Sequence, residues 1–350
     1  MYTPTERKLE DICPNVSVIL PIRNESEFIE RNLDSILNQD YPIQNLEVLI
    51  ADGMSTDNTR EIITNIINKN PHVSITLLDN PNKIVSTGLN NSLRQAKGQI
   101  IIRIDGHTIV APTYVQQCVD ALQHSRAENV GGRMNSVGYG FFGAAVSIAT
   151  SSPFGIGGAR FHYSEKEEWV DTVYMGAWPR KVFEEIGIFD EELVRDQDDE
   201  FNYRLREYGG KILLSPKIKS IYNVRSSPEA LWKQYFQYGY WKVRVMQKHP
   251  RQMRPRQFVP PTFIVSIVFA VIFSLINPIG LWILYGIVGS YLFVNLIASI
   301  ITAAKKGWKH LPLLPIVFSL LHISYGVGFL AGLVKFANRW GDKTGKTPKY

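Results

Sequence analysis

Cysteine is scarce: the 350 residues hold two, Cys13 and Cys118, far apart and without metal-ligand spacing. That excludes a disulfide framework and a cysteine-based zinc site, and it suits free thiols in a reducing compartment. No G-x-G-x-x-G run follows the first strand pattern, which disfavours a dinucleotide-dependent dehydrogenase, and no Walker A sequence is present. The opening Met1-Tyr2-Thr3-Pro4-Thr5-Glu6-Arg7-Lys8 is polar and no apolar run follows it, so no secretory signal is expected. Neither sign of charge dominates, with 38 Lys and Arg against 32 Asp and Glu and a net charge of +6. Much of that excess flanks apolar segments near the C-terminus, which favours a membrane surface over nucleic acid as the partner.

What is present is a chain long enough for more than one domain, and a 45% hydrophobic content that supports a substantial core. Its organising stretch is Ile100-Ile101-Ile102-Arg103-Ile104-Asp105-Gly106-His107-Thr108. An isoleucine run that stops at Asp-Gly-His reads as a buried strand whose end leaves the core to meet a ligand. Asp105 and His107, two apart in extended backbone, project to one face, so a single cation is within reach of a carboxylate oxygen and an imidazole nitrogen. Such a cation would grip a diphosphate.

Three further strand patterns precede this one: 16–20, broken by Pro21; 46–51; and 73–78. Between them, Phe28, Ile29, Leu33, Ile36 and Leu37, then Ile62, Ile63, Ile66 and Ile67, recur at helical spacing, and 86–96 reads as a third helix stopped by Gly98. This alternation implies βαβ units, a mostly parallel sheet and a ligand site at its carboxyl edge. The C-terminal third differs. Residues 258–276, 279–304 and roughly 311–336 are apolar stretches near the ~20 residues that cross a bilayer.

The residues Val18-Ile19-Leu20-Pro21-Ile22-Arg23-Asn24-Glu25, Asp52-Gly53-Met54-Ser55-Thr56-Asp57-Asn58-Thr59, Asp105-Gly106-His107, Val130-Gly131-Gly132-Arg133-Met134 and Arg195-Asp196-Gln197-Asp198-Asp199-Glu200 come in the order of family 2 glycosyltransferase signatures. The chain resembles that family over residues 14 to about 245, most of all its membrane-attached, succinoglycan-type members, which also carry Asp-x-His in place of Asp-x-Asp. The resemblance implies a GT-A nucleotide-sugar-binding fold. It also implies that Pro21 and Glu25 border the nucleotide pocket, that Asp52 accepts a hydrogen bond from a uracil ring, and that Lys83 faces the donor's phosphates. Asp105 and His107 would hold the metal. Imidazole suits Mn²⁺ better than Mg²⁺, so Mn²⁺ is expected, with Mg²⁺ as a substitute.

Asp196, Asp198, Asp199 and Glu200 open a helical pattern, where carboxylates favourably meet the helix dipole. By its match to the family's Glu-Asp motif, Asp198 is implied to be the general base of a single displacement with inversion; the first acid of that motif is Gln197 here. Residues 138–158, rich in Gly, Ser, Ala and Phe, read as an active-site loop or a membrane-facing patch. Trp178 reads as an acceptor-side ring available to a sugar or, equally, as a core aromatic. Residues 231–242 mix aromatics and lysine as an interfacial helix does. Within it Gln234 keeps the first residue of the Gln-x-x-Arg-Trp motif of processive synthases; loss of the rest argues against processivity.

The expected organisation is a catalytic domain over 1–228, an interfacial segment and basic linker over 229–257, a membrane region of about three segments over 258–336, and a basic tail over 337–350. Basic residues at 248–256 keep the catalytic domain cytoplasmic by the positive-inside rule, at a cell (inner) membrane crossed several times. A third full span would put Arg339, Lys343, Lys346 and Lys349 outside, against that rule. The reading is a transfer from a UDP-sugar to a lipid-linked, polyprenyl-diphosphate saccharide, with membrane lipid and polysaccharide-assembly proteins as partners and no nucleic acid. The alternatives are a polyprenyl-phosphate sugar synthase, a processive synthase or a non-catalytic scaffold of an assembly complex.

Overall fold

The computed structural model describes residues 13–342 and Tyr350; the polar opening residues and Lys343, Lys346 and Lys349 of the basic tail lie outside the described residues. The chain divides into two compact units. The first takes the sequence up to Asn135 and Tyr163–Tyr222; the second takes Ser136–His162 and Asn223–Lys343.

Nine strands form one sheet among the described residues. Strands β1 (Val16–Ile22), β2 (Leu46–Asp52), β3 (Ser74–Asp79) and β4 (Ile100–Arg103) are mutually parallel in the order β3-β2-β1-β4. Helices α1 (Ile29–Leu37), α2 (Thr59–Lys69) and α3 (Val85–Gln95) connect them. Val18, Leu20, Ile50 and Ile102 from the strands bury against Ile29, Leu33 and Ile36 of α1 and against Val115, Val119 and Leu122 of α4 (Tyr114–Ser125). Each such side chain contributes about 1.5–3 kcal/mol by leaving water. Cys118 is part of this core, and neither cysteine is disulfide-bonded.

The sheet is less parallel than the alternation suggests. β4 is followed in the sheet by β8 (Tyr174–Pro179), β6 (Asn129–Val137), β9 (Ile212–Asn223) and β5 (Thr108–Val110), with β7 (Glu168–Val170) also on β9. β8 pairs antiparallel with β4 and β6, and β5 and β7 pair antiparallel with β9. β5 and β7 have only three residues each, and the strands of this half do not alternate one by one with helices, so their order is not legible from the sequence. Pro21 does not end β1. It pairs with Ala51 of β2 at a level beyond Ile19, the last residue of β1 that pairs with β4, so its missing N–H falls where one neighbour has stopped.

The remaining helices of the first unit are α7 (Arg180–Ile186) and α8 (Gln197–Glu207). α8 is pinned by a buried pair in which Arg204 donates to both oxygens of Glu200 at 2.9 Å, and to the carbonyls of Ile186 and Ile188 at 2.5 and 2.9 Å. Thr172 adds a hydrogen bond to Asp199 at 2.9 Å.

The second unit is helical: α5 (Gly140–Thr150), α6 (Pro153–Ile156), α9 (Pro228–Lys248), α10 (Val259–Ser274), α11 (Ile279–Lys306) and α12 (Leu314–Lys335). Residues 138–158 are therefore largely helix, not a loop, and they pack with the C-terminal helices. Glycine and serine hide an apolar run, Ala144-Ala145-Val146 through Ile148-Ala149, that needs a helical partner. The C-terminal half of α9, including Lys242 and Arg244, is buried, and α9 runs along α12. The two backbones approach at glycines: a side chain at Gly239 would strike the Tyr325 carbonyl, and one at Gly328 or Gly332 the carbonyl of Phe236 or Tyr240.

Among the described residues two helices, α11 and α12, are long and apolar enough to cross a membrane by length and composition. The first expected segment, α10, has 16 residues, hence about 24 Å of helix against a hydrocarbon core of about 30 Å. Leu275, Ile276, Trp282 and Phe293 stand exposed on α11 and the turn before it, an apolar surface that fits lipid.

Candidate active site

The parallel strands end in register, with Ile22 level with Asp52 and Asp52 level with Asp79, so the loops after β1, β2 and β3 share one edge of the sheet with the residues after β4. Two of those loops are stitched together. The backbone amides of Asn24, Glu25 and Ser26 donate to the side chains of Ser55, Thr59 and Asp57 at 2.8, 2.9 and 3.2 Å, and Thr56 N–H donates to Asn24 Oδ1 at 2.8 Å. The two sequence motifs on these loops are therefore one structural piece. Asp57 also accepts from the Thr59 N–H and hydroxyl at 3.1 and 2.5 Å. Burial works to raise its pKa, but the hydrogen bonds from Thr59 and Ser26 outweigh it and hold the carboxyl down at about 2.

This stitching presents Glu25 to His107. Glu25 Oε1 lies 3.1 Å from His107 Nδ1, and Tyr222 sets its ring edge against the imidazole at a centroid distance of 5.4 Å. Gly106 permits the approach: a Cβ there would lie 2.7 Å from Ile22 Cγ2 and 3.2 Å from Glu25 Cγ. A ring that donates from Nδ1 to a carboxylate offers Nε2 as a basic nitrogen, the arrangement that orients metal-binding histidines. Behind it, Tyr174 hydrogen-bonds Thr108 at 2.7 Å; burial first, then the nearby Asp105 carboxylate, push its phenol well above the ordinary value, so it stays protonated.

Asp105 is held from the other side. Arg103 Nε donates to Asp105 Oδ1 at 2.8 Å, and Arg103 Nη1 donates to Asp198 Oδ1. A cation that sequence reading passed over thus joins the two carboxylates singled out from sequence. The signal was available, because an arginine inside an isoleucine strand is a buried charge that must find acids. The structure also gives Glu25 a role beside His107 that no spacing discloses.

The other expected residues fall as follows. Asp52 is wholly buried, its carboxylate engaged by Ser55 N–H at 3.1 Å and by Arg60 Nη1 at 2.7 Å, while Arg60 also reaches Asp79 at 2.9 Å. Lys83 is exposed on the loop after β3, with a left-handed φ of 62°. Pro21 is half-buried near the end of β1. Trp178 is a core residue and not an acceptor-side ring. It is 3% exposed and stands edge-on to Phe183, Phe189 and Phe201 at 5.6, 6.1 and 5.7 Å, because its strand pairs Trp178 with Ile101 in the middle of the sheet. Gln234 belongs to the second unit, where its amide donates to Tyr238 one turn along α9 at 2.9 Å.

No group of three or more His, Cys, Asp or Glu side chains that would cage a metal occurs among the described residues. Asp105 and His107 lie beyond the end of β4 in a turn closed by the Thr108 N–H on the Asp105 carbonyl at 3.0 Å, not in the extended backbone expected, and they are the two donors that would hold a metal. A carboxylate and an imidazole would suit a divalent ion, and Glu25 behind the imidazole strengthens the fit.

The family described as Glycosyl transferase family 2 matches residues 17–187. The chain is 28% identical over 324 residues to the Succinoglycan biosynthesis protein ExoA of Rhizobium meliloti (strain 1021), covering 92% of this chain and 96% of that protein. It is 29% identical over 330 residues to the Dolichyl N-acetyl-alpha-D-glucosaminyl phosphate 3-beta-D-2,3-diacetamido-2,3-dideoxy-beta-D-glucuronosyltransferase of Methanococcus voltae, covering 91% of this chain and 97% of that one. Among solved structures, the mannosyltransferase PcManGT from Pyrobaculum calidifontis, in complex with GDP-Man and Mn²⁺, superposes with a TM-score of 0.59 at 19% identity, covering 95% of this chain and 89% of that chain. Residues 17–187 are a glycosyl transferase family 2 domain, and the chain has the GT-A fold.

Proposed function

We propose that the protein is an inverting, metal-dependent hexosyltransferase that moves a sugar from a UDP-sugar to a lipid-linked saccharide, a polyprenyl-diphosphate one above all, at the cytoplasmic face of the cell (inner) membrane. The observation that carries this is the Arg103 guanidinium between the carboxylates of Asp105 and Asp198, with His107, two residues beyond Asp105, set against Glu25.

The acceptor hydroxyl oxygen attacks the anomeric carbon as the bond from that carbon to the diphosphate oxygen breaks. Asp198 takes the hydroxyl proton, and one displacement from the face opposite the leaving group inverts the anomeric centre. Asp105 and His107 would hold Mn²⁺, or Mg²⁺ in its place, which supplies charge neutralisation for the departing diphosphate. Glu25 orients His107. Pro21, Asp52 and Lys83 border the donor, with Asp52 reading the base once Arg60 yields it and Lys83 facing phosphate. Gln234 is assigned to the acceptor side.

The lipid-linked acceptor is favoured by the two long apolar helices, by the basic residues 248–256 ahead of them, and by the Methanococcus voltae relative, whose name carries a dolichyl-linked sugar phosphate. Acceptors of that kind favour extension of a lipid-linked sugar over sugar transfer to bare lipid phosphate. The same placement makes the enzyme a part of cell-surface or exopolysaccharide assembly.

The test is nucleotide release by the full chain purified in detergent, offered UDP-glucose, UDP-galactose, UDP-N-acetylglucosamine and GDP-mannose with Mn²⁺ and a lipid extract. Turnover of a UDP-sugar that needs metal and is lost in both Asp198→Asn and Asp105→Asn is expected. Turnover of GDP-mannose alone would refute the UDP assignment, and turnover that survives both substitutions would refute the site.

A further inference from the structure

We infer that Arg103 is a positioning residue for sugar transfer: one guanidinium locks the base Asp198 to the metal-side carboxylate Asp105, and so sets where the proton is taken relative to where the diphosphate leaves. This rests on the function proposed above and adds to it a residue that none of its motifs contains.

The argument starts from burial. The Arg103 side chain is 6% exposed, and arginine does not deprotonate, so the chain places a permanent charge at the end of an isoleucine strand. That charge is tolerated only with acids beside it. Nε serves Asp105 and Nη1 serves Asp198, two different atoms of a rigid planar fork. Because the fork is planar, the direction from one carboxylate to the other is fixed, which a flexible ammonium would not achieve.

A merely structural ion pair would be needed to hold α8 in place, and here it is not. Glu200 with Arg204, and Asp199 with Thr172, already anchor the helix at its first turns, and Asn202 accepts from Asn129 at 2.8 Å further along. Asp198 itself is 35% exposed, and Arg103 is the partner that the described residues give its carboxylate. Removing Arg103 therefore frees the carboxylates of Asp198 and Asp105 from each other and leaves the helix where it is. The role also answers a gap in the sequence. Gln197 stands where an acid is usual before the base, its Oε1 is buried without a hydrogen-bond partner among the described residues, and so the carboxylate is oriented from the strand instead.

The experiment compares wild type, Arg103→Gln, Arg103→Lys and Asp198→Asn as full chains in detergent. It measures kcat and KM for the donor that wild type turns over, the Kd of UDP with Mn²⁺ by calorimetry, and the thermal midpoint. Arg103→Gln is expected to lower kcat about 10²-fold or more while KM and Kd move less than about fivefold, since a displaced base acts on the chemical step alone. Arg103→Lys is expected to restore less than a tenth of that loss. Wild-type kcat in Arg103→Gln, with Asp198→Asn inactive, overturns the inference and leaves the base assignment standing. Parallel loss of kcat, Kd and thermal midpoint shows a structural ion pair and also overturns it. Retained turnover in Asp198→Asn, or none in wild type, refutes the proposed function and this inference with it.

Discussion

Arg103 and Asp198, 95 residues apart in sequence, meet through a hydrogen bond from Nη1 to Oδ1. Strand β4 and helix α8 thereby share a charge. Asp198→Asn keeps the shape and removes the base, so transfer should fall by about 10²–10⁴-fold. Asp199→Asn, one residue on, should fall far less, because that carboxylate accepts from Thr172 as part of the helix anchor. Nucleotide release from the two variants, side by side, checks the assignment.

Glu25 stands 3.1 Å from the His107 imidazole, and the amide that fixes its backbone is itself held by Thr59. Losing such an orienting carboxylate weakens metal binding by about 10–100-fold. Glu25→Gln should therefore raise the Mn²⁺ concentration for half-maximal UDP binding by that factor, and His107→Ala by more. A Mn²⁺ titration followed by the paramagnetic resonance of the free ion would read both.

The depressed carboxyl of Asp57 predicts an acid limb in stability. Its folded pKa, about 2, lies below the ordinary carboxylate value, so the unfolded chain binds the proton first and protonation favours unfolding. Its contribution is complete above about pH 4 and fades as pH falls toward 2. In Asp57→Asn the thermal midpoint should be lower at pH 6 and change less between pH 4 and 2 than in wild type.

Trp178 provides a test of core against ligand roles. Packed among Phe183, Phe189 and Phe201, its truncation to alanine should cost about 3–5 kcal/mol of stability. Trp178→Phe should retain most of the stability and the same donor and acceptor preference. A changed acceptor preference with unchanged unfolding in urea would return the residue to the acceptor side.

The seam between α9 and α12 predicts unequal glycines. A side chain at Gly328 meets the Phe236 carbonyl, whereas one at Gly286 meets nothing within 4 Å. Gly328→Leu should lower the thermal midpoint in detergent, by the equivalent of about 1–3 kcal/mol or more. Gly286→Ala should hold or raise it, since alanine is favoured over glycine in a helix by about 1 kcal/mol.

Strand and helix order in the first hundred residues was legible from the sequence by itself, because apolar side chains repeat with the period of the element that buries them, and so was the edge at which Asp105 and His107 sit. The long apolar helices were legible for the same reason. Tertiary structure alone decided what depends on partners distant in sequence. It turned the second half of the sheet antiparallel, moved Trp178 into the core, made 138–158 helical beside α12, and laid α9 along a row of glycines. Above all it set Arg103 between Asp105 and Asp198. Local periodicity reports which face of an element is buried. Which charge answers a buried arginine is settled by an energy that exists only after strand and helix have come together.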